Sequence, residues 1–441
     1  MKSVFMKRAI TLIVLTMAVG LAHAQDTIHL RRADTTAKKR VERLTIGGYG
    51  EATYRYNFYS DNAFRYSYAD RYAHSKGHGQ VDLPHVVLML GYDFGKGWSM
   101  GTEIEFEHGG TEAAVEIENE ETGEYEQEVE RGGEVALEQF WLQKSFLSNK
   151  LNVRVGHIVV PVGATNAHHL PTEFFIVFRP EGENTIIPCT WHETGISFWG
   201  QSDHFRYELQ LVPALNSALF SRNAWANGAS ASPYEFRPAN RWALATRLDY
   251  SIPHWRLSLS AYAGNTFNNN IESARSETYA DVNGTVLIGA FDFKCDYGPF
   301  LMRGNFDYGY LNEAGTISSF NRRLSNSTGS PYPHTEVGQS ALAAGFEAGY
   351  DCFGNSSNPR LSKMKFITFA RADYYDSYNP PATYNDYLWT ERLCFSAGID
   401  YAPIPQIVIK AEGGIRLFHH QYNNEPWFAL GVTWAALFSR K

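Results

Sequence analysis

NVRVGHIVV at residues 152–160 and HETGISFWG at 192–200 are two runs of strand periodicity, and PVGATNAHHLPTEFFIVFRPEGENTIIPCTW lies between them at 161–191. In the first run Val153, Val155 and His157 alternate with Arg154, Gly156 and Ile158. In the second, Thr194, Ile196 and Phe198 alternate with Glu193, Gly195 and Ser197. Period two is the mark of a strand, whose side chains point to opposite faces in turn. The segment between them is too long for a hairpin turn and too rich in rings, imidazoles and charge for a plain linker. Links beyond about 12–15 residues without structure of their own are usually functional or disordered. Pro161–Thr190 therefore reads as a constriction loop folded against a polar wall, with an ordinary surface loop as the other reading.

Composition points the same way. Aromatic residues make up 15% of the 441 while hydrophobic residues are only 44%, and the mean hydropathy is −0.33. An outer-membrane barrel accommodates many rings without long apolar helices, because one face of each strand is apolar, the other polar, and aromatics gather at the two interfaces. Lys2, Lys7 and Arg8 precede the apolar run Ile10–Leu21, and Ala22-His23-Ala24 follows in the small-x-small pattern of a cleavage site, so residues 1–24 read as a signal peptide. A polar, basic lead-in (25–42) comes next, and 43–441 is the expected barrel. No later stretch reaches the roughly 18–20 continuous apolar residues of a spanning helix, and lipid otherwise admits only closed barrels.

Alternating runs recur along the whole chain. From Leu44, apolar or small residues (Ile46, Gly48, Ala52, Tyr54) take turns with Thr45, Glu51, Thr53 and Arg55; Val86–Phe94 leads through Gly95-Lys96-Gly97 into Trp98–Phe106. The last runs are Ile407–Leu417 and Phe428–Phe438. Sixteen such runs predict an all-β, antiparallel, transmembrane barrel of about sixteen strands. Leu137–Phe146 is the one whose facing stays ambiguous, because Glu138, Phe140, Trp141 and Leu142 break the alternation. Short links follow the even-numbered runs and long links the odd-numbered ones, the rhythm of periplasmic turns and outer loops. It puts both termini in the periplasm and the chain in the outer membrane, in contact with lipid and lipopolysaccharide.

The polar faces carry charge of both signs. The basic residues that would line a pore are Arg154, Arg206, Arg241, Arg247, Arg256, Arg303, Arg371, Arg392, Lys410 and Arg416; the acidic ones include Glu103, Glu105, Glu107 and Glu193. Within the constriction loop, His168, His169, Glu173, Arg179 and Glu181 are the candidates. A guanidinium holds phosphate or carboxylate with two parallel bonds, but the same groups can pair with inward carboxylates to stiffen the wall. His157, His168, His169 and His192, with Glu173 and Glu193, gather around the loop in sequence and could build a metal or pH-responsive site, or simply bind loop to wall.

The net charge of −8 is concentrated between Thr111 and Glu134, where ten glutamates face the single Arg131. This run reads as a solvated outer loop, or as a cation-attracting vestibule; nucleic acid is not an expected partner. Four cysteines, Cys189, Cys295, Cys352 and Cys394, show no zinc spacing. Cys295 and Cys352 would fall in neighbouring periplasmic turns, close enough to pair. No G-x-S-x-G, H-E-x-x-H or Walker glycine loop occurs, so no enzyme, cofactor or resident metal is expected.

The motifs Val153-Arg-Val-Gly-His-Ile-Val-Val-Pro-Val-Gly, Glu193-Thr-Gly-Ile-Ser-Phe-Trp-Gly, Ala370-Arg-Ala-Asp-Tyr-Tyr-Asp and Gly398-Ile-Asp-Tyr-Ala-Pro resemble the phosphate-selective porin O and P family. The resemblance implies a sixteen-stranded, usually homotrimeric channel. It does not carry phosphate specificity over, because Glu103, Glu105, Glu107, Glu193, Glu208, Glu347 and Glu412 share the lumen with the basic residues. The chain also ends on Ser-Arg-Lys rather than on an aromatic residue. The expected function is a porin-like channel for small hydrophilic solutes, anions among them. The alternatives are a non-conducting structural or adhesive barrel that binds a partner through its acidic outer loop, and a soluble secreted glycan-binding β protein.

Overall fold

The computed structural model describes residues 43–109, 114–117, 127–130, 134–232, 236–267, 269, 279, 281–324 and 334–438. The expected signal peptide and lead-in lie outside these residues, as does most of the glutamate-rich run. Of that run, Ala114–Ile117 and Gln127–Glu130 pair as a small hairpin apart from the main sheet.

Among the described residues the main sheet has 17 segments. Two of them, His78–Asp82 and His85–Gly95, run in line along the same neighbour, the first beside Thr53–Asn57 and the second beside Leu44–Gly50. They are one strand interrupted at Leu83-Pro84, where proline has no N–H to give the ladder, and the barrel is therefore sixteen-stranded. The strands are β1 (Leu44–Asn57), β2 (His78–Asp82 with His85–Gly95), β3 (Trp98–Glu107), β4 (Glu134–Phe146), β5 (Leu151–Val159), β6 (His192–Gln201), β7 (Phe205–Pro213) and β8 (Trp242–Ile252). There follow β9 (Trp255–Asn265), β10 (Thr285–Tyr297), β11 (Phe300–Leu311), β12 (Ser340–Asp351), β13 (Lys365–Asn379), β14 (Glu391–Ile404), β15 (Ile407–Leu417) and β16 (Glu425–Phe438). Every neighbouring pair is antiparallel, and β16 closes on β1 from Ile46↔Phe438 to Asn57↔Trp427. Closure removes both sheet edges, which lipid could not hydrate.

The exterior is what a lipid-facing wall requires. Phe205, Tyr207, Leu209 and Leu211 on β7, Trp242, Leu244 and Leu248 on β8, and Phe428, Leu430, Val432 and Trp434 on β16 are all exposed, while Glu208, Gln210, Ala243, Ala245, Arg247 and Ala429 on the other face are buried in the barrel. Phe94, Trp98, Phe146, Phe205, Tyr297 and Phe300 are exposed beside the short turns, forming an interfacial ring. These turns are tight: Tyr297 pairs with Phe300 across Gly298-Pro299, with Gly298 at φ +57°. The first strand begins at Leu44 and the last ends at Phe438, both on this periplasmic side of a transmembrane barrel in the outer membrane. No described helix is long and apolar enough to cross a membrane.

Two expectations change. The alternation in β4 breaks because the strand carries a bulge: Glu103 pairs with Gln139 but the next residue, Ile104, pairs with Leu137, so Glu138 is the extra residue. Glu138 and Gln139 are both buried, and the exposed set passes from Val135 and Leu137 to Phe140 and Leu142. The possible pairing of Cys295 with Cys352 is not made. Cys295 sits inside β10, opposite Trp255 and Met302, whereas Cys352 follows β12 and is exposed; all four thiols are free.

Candidate functional site: the loop across the lumen

The link between β5 and β6 turns into the barrel and is tied shut at its neck. Asn166 donates through Nδ2 to the carbonyls of Val162 and Pro188, each at 2.8 Å, and its Oδ1 accepts the Trp191 backbone N–H at 2.7 Å. Gly163, at φ +88°, lets the chain turn inward. A Cβ there would collide with the Glu183 carboxylate, which accepts the Thr165 N–H at 2.8 Å. The loop's apolar residues Val160, Val162, Ile186, Ile187 and Trp191 join a core inside the outer half of the barrel with Leu215, Phe220, Trp225, Phe267, Ile317 and the strand residues Ala243, Ile288 and Leu311. Its far end, Phe174–Ile176, packs lower, against Leu301, Ile367 and Phe369.

Side chains from well-separated strands hold the loop in place. All three N–H donors of Lys410 on β15 end on loop carbonyls, of Pro171 and Phe174 at 2.7 Å and of Ile176 at 2.9 Å. Arg416, further out on the same strand, donates to Glu181 at 2.6 Å and also reaches Glu425 at 3.1 Å. On the opposite side Arg247 of β8 donates to the Gly163 carbonyl at 3.1 Å while paired with Asp249 and Asp292 at 2.7 and 2.8 Å. Burial by itself would raise the Glu181 carboxyl, but Arg416 and Arg392 hold it down at about 2.

The other expected pore-lining groups are distributed along the wall. Arg371 lies between Asp373 at 2.6 Å and Glu347 at 3.2 Å. Arg154 bonds Gln143 at 3.1 Å over the Trp141 ring, and Arg206 pairs with Glu208 and Asp249. Arg392 donates to the Tyr375 hydroxyl at 3.0 Å, and Arg241 precedes β8, its backbone N–H bonded to Asn269. Arg247, Arg371, Lys410 and Arg416 are thus paired and buried rather than a free basic ladder. Among the acids, Glu193 meets Arg237 at 2.6 Å, Glu105 meets His85 at 2.7 Å, Glu107 lies close to both His85 and Glu105, and Glu103 faces the loop near Glu138.

The histidines gathered in sequence do not converge in space. His157 and His192 contact each other at 2.6 Å, on the face of β5 and β6 that also carries Val155 and Thr194, which is the barrel's exterior. His169 instead approaches Glu138. His168 and Glu173 enter a pocket of about 50 Å³ on the periplasmic side of the loop, lined also by Arg256, Asp292, Lys294, Arg303, Glu347 and Arg371. Here Lys294 (20% exposed) meets Glu173 (30%) at 3.3 Å, and Arg303 (18%) meets Glu347 at 3.2 Å. The Nε of Arg256, the Nε of Arg303 and the Nε2 of His168 have no hydrogen-bond partner. Burial keeps the His168 imidazole well below its ordinary range, so it is neutral at pH 7. Arg179 lies within electrostatic reach of Glu105 and Glu138. Sequence reasoning missed Asn166, Arg237 and Glu138 as site residues; only Glu138 left a trace, as the break in alternation.

No protein-family model matches the chain. An uncharacterised protein of Aquifex aeolicus (strain VF5) is 24% identical over 401 residues, covering 89% of this chain and 79% of that one. The outer membrane channel DcaP of Acinetobacter baumannii superposes with a TM-score of 0.52 at 12% identity, over 89% of this chain and 97% of that one. An anion-selective porin from Comamonas acidovorans gives 0.49 at 10%, over 89% and 99%. At such identities the likeness to DcaP is one of fold: a sixteen-stranded barrel of the porin type.

Proposed function

We propose that the chain is a narrow outer-membrane channel for passive passage of small hydrophilic solutes, with small anions favoured. The observation that carries this reading is a loop held across the lumen from opposite walls, by Lys410 and Arg416 on one side and Arg247 on the other. A barrel of about sixteen strands encloses room for an aqueous path, and width and lining charge at its narrowing set what passes. The anion preference rests on the periplasmic-side pocket, where Arg256 and Arg303 retain N–H donors without partners and guanidinium groups favour oxyanions. Assembly as a homotrimer, implied by the family resemblance, belongs to the same reading.

Single-channel recording in planar bilayers under a salt gradient tests it. Discrete conductance steps are expected, with a reversal potential of the anion-selective sign that moves toward zero in Arg256→Gln/Arg303→Gln. The second reading, a plugged barrel that binds a partner through the 111–134 loop, is supported by the apolar core that the loop and its neighbours form within the outer half of the barrel. A correctly inserted barrel that gives no steps would overturn the channel reading and leave the plugged barrel.

A further inference from the structure

The bulge in β4 does more than shift the alternation. It directs Glu138 into the barrel beside Glu103 of β3 and His169 of the loop, and one ligand atom of each lies within 4.8 Å of the others. Bulges are used to re-aim a side chain near a site. Glu138 is 0% and Glu103 9% exposed, yet Glu138 Oε1 and Glu103 Oε2 have no hydrogen-bond partner. The other oxygen of Glu138 accepts the Tyr49 hydroxyl at 3.4 Å, which leaves Oε1 directed at the loop.

His169 completes the arrangement. Its Nδ1 lies 3.4 Å from the Asn166 carbonyl, a contact that needs the proton on Nδ1. Nε2 then presents a lone pair, and it stands 3.8 Å from Glu138 Oε1. Two acceptors facing each other across that gap repel, but 3.8 Å is less than twice the roughly 2.0–2.2 Å of a zinc–oxygen or zinc–nitrogen bond. Charge agrees. The carboxylates of Glu51, Glu103, Glu105 and Glu138 act on one another here, and the nearby basic groups are Arg179 from the loop, Arg154, and Lys410 beyond Glu51. Imidazole with two carboxylates suits a divalent first-row ion better than calcium or magnesium. The neighbouring group of His85, Glu105 and Glu107 differs, because His85 and Glu105 are already hydrogen-bonded at 2.7 Å.

We infer that Glu103, Glu138 and His169 form a divalent metal site of the zinc class that clips the lumen loop to the β3–β4 wall. The Nδ1 contact to Asn166 would orient the imidazole from behind, as second-shell partners do.

Zinc binding to the full protein in detergent, read by equilibrium dialysis and metal analysis, is the test. Wild type should hold one zinc equivalent that is lost in His169→Gln and in Glu138→Gln, and kept in His157→Gln/His192→Gln, which removes the exterior histidine pair. Barrel folding is checked by heat-dependent gel migration; should Glu138→Gln fail to fold, His169→Gln decides, since it alters only the loop. No binding to wild type at tens of micromolar zinc, or an equivalent that survives in His169→Gln, overturns the site. The measurement does not depend on conduction, so its failure is distinct from failure of the channel reading.

Discussion

Glu181 on the lumen loop shows how a single residue ties this loop to its wall. Its carboxylate is shared by Arg416 at 2.6 Å and Arg392 at 3.8 Å, and they hold it at about 2, below its ordinary 4.5, against the opposing effect of burial. Because the folded value is depressed, the stabilisation is fully present above about 4.5 and is lost as the pH falls toward about 2. Melting of the wild-type barrel should therefore acquire a component between pH 4.5 and 2 that is absent from Glu181→Gln; identical pH profiles would contradict the pairing. At this scale the sequence was only partly legible. Alternation places Arg247, Arg371, Lys410 and Arg416 on the inner face, and for Arg247 and Arg371 it also places a partner two residues on, Asp249 and Asp373, but the loop groups held by Arg247, Lys410 and Arg416 come from residues far away in the chain. Lys410 bonds carbonyls 234 to 239 positions away, and no local pattern encodes such a partner.

Among the elements, β4 is the informative one. Its broken alternation is visible in the sequence, and the physical cause is the unpaired Glu138. Deleting Glu138 would make Leu137 and Gln139 consecutive, opposite Ile104 and Glu103, and so restore strict pairing with both faces of the strand kept. Val135 and Leu137 would stay on the lipid face, and only the inward carboxylate would be lost. The expected result is a midpoint for the heat-dependent gel shift close to that of wild type; a clearly lower midpoint would show that the bulge itself is needed for the fold. The histidines teach the same lesson about facing. His157 alternates in phase with Val153 and Val155, so the pattern already assigned it to the outer face, away from His168 and His169. Nearness along the chain suggested a cluster; strand parity excluded it.

For the whole molecule, closure is the decisive property. β16 pairs with β1 on one side and β15 on the other, and in lipid each unsatisfied backbone group costs several kcal/mol. Removal of Glu425–Phe438 should thus abolish membrane insertion and the heat-dependent gel shift; a truncated chain that still inserts would refute the closed-barrel account. The amino-acid sequence by itself determined the strands, their approximate number, the inner and outer faces of all but β4 and the sidedness of their links, because all of these follow from period-two hydrophobicity and link length, which are local quantities. It also marked 161–190 as the segment within the barrel. Only the tertiary structure decided how that loop lies: which basic groups are consumed in holding it, that it joins an apolar core within the outer half of the barrel, and that Glu103, Glu138 and His169 meet. Those facts depend on contacts between residues distant in the chain, which closing the cylinder brings together and periodicity cannot specify.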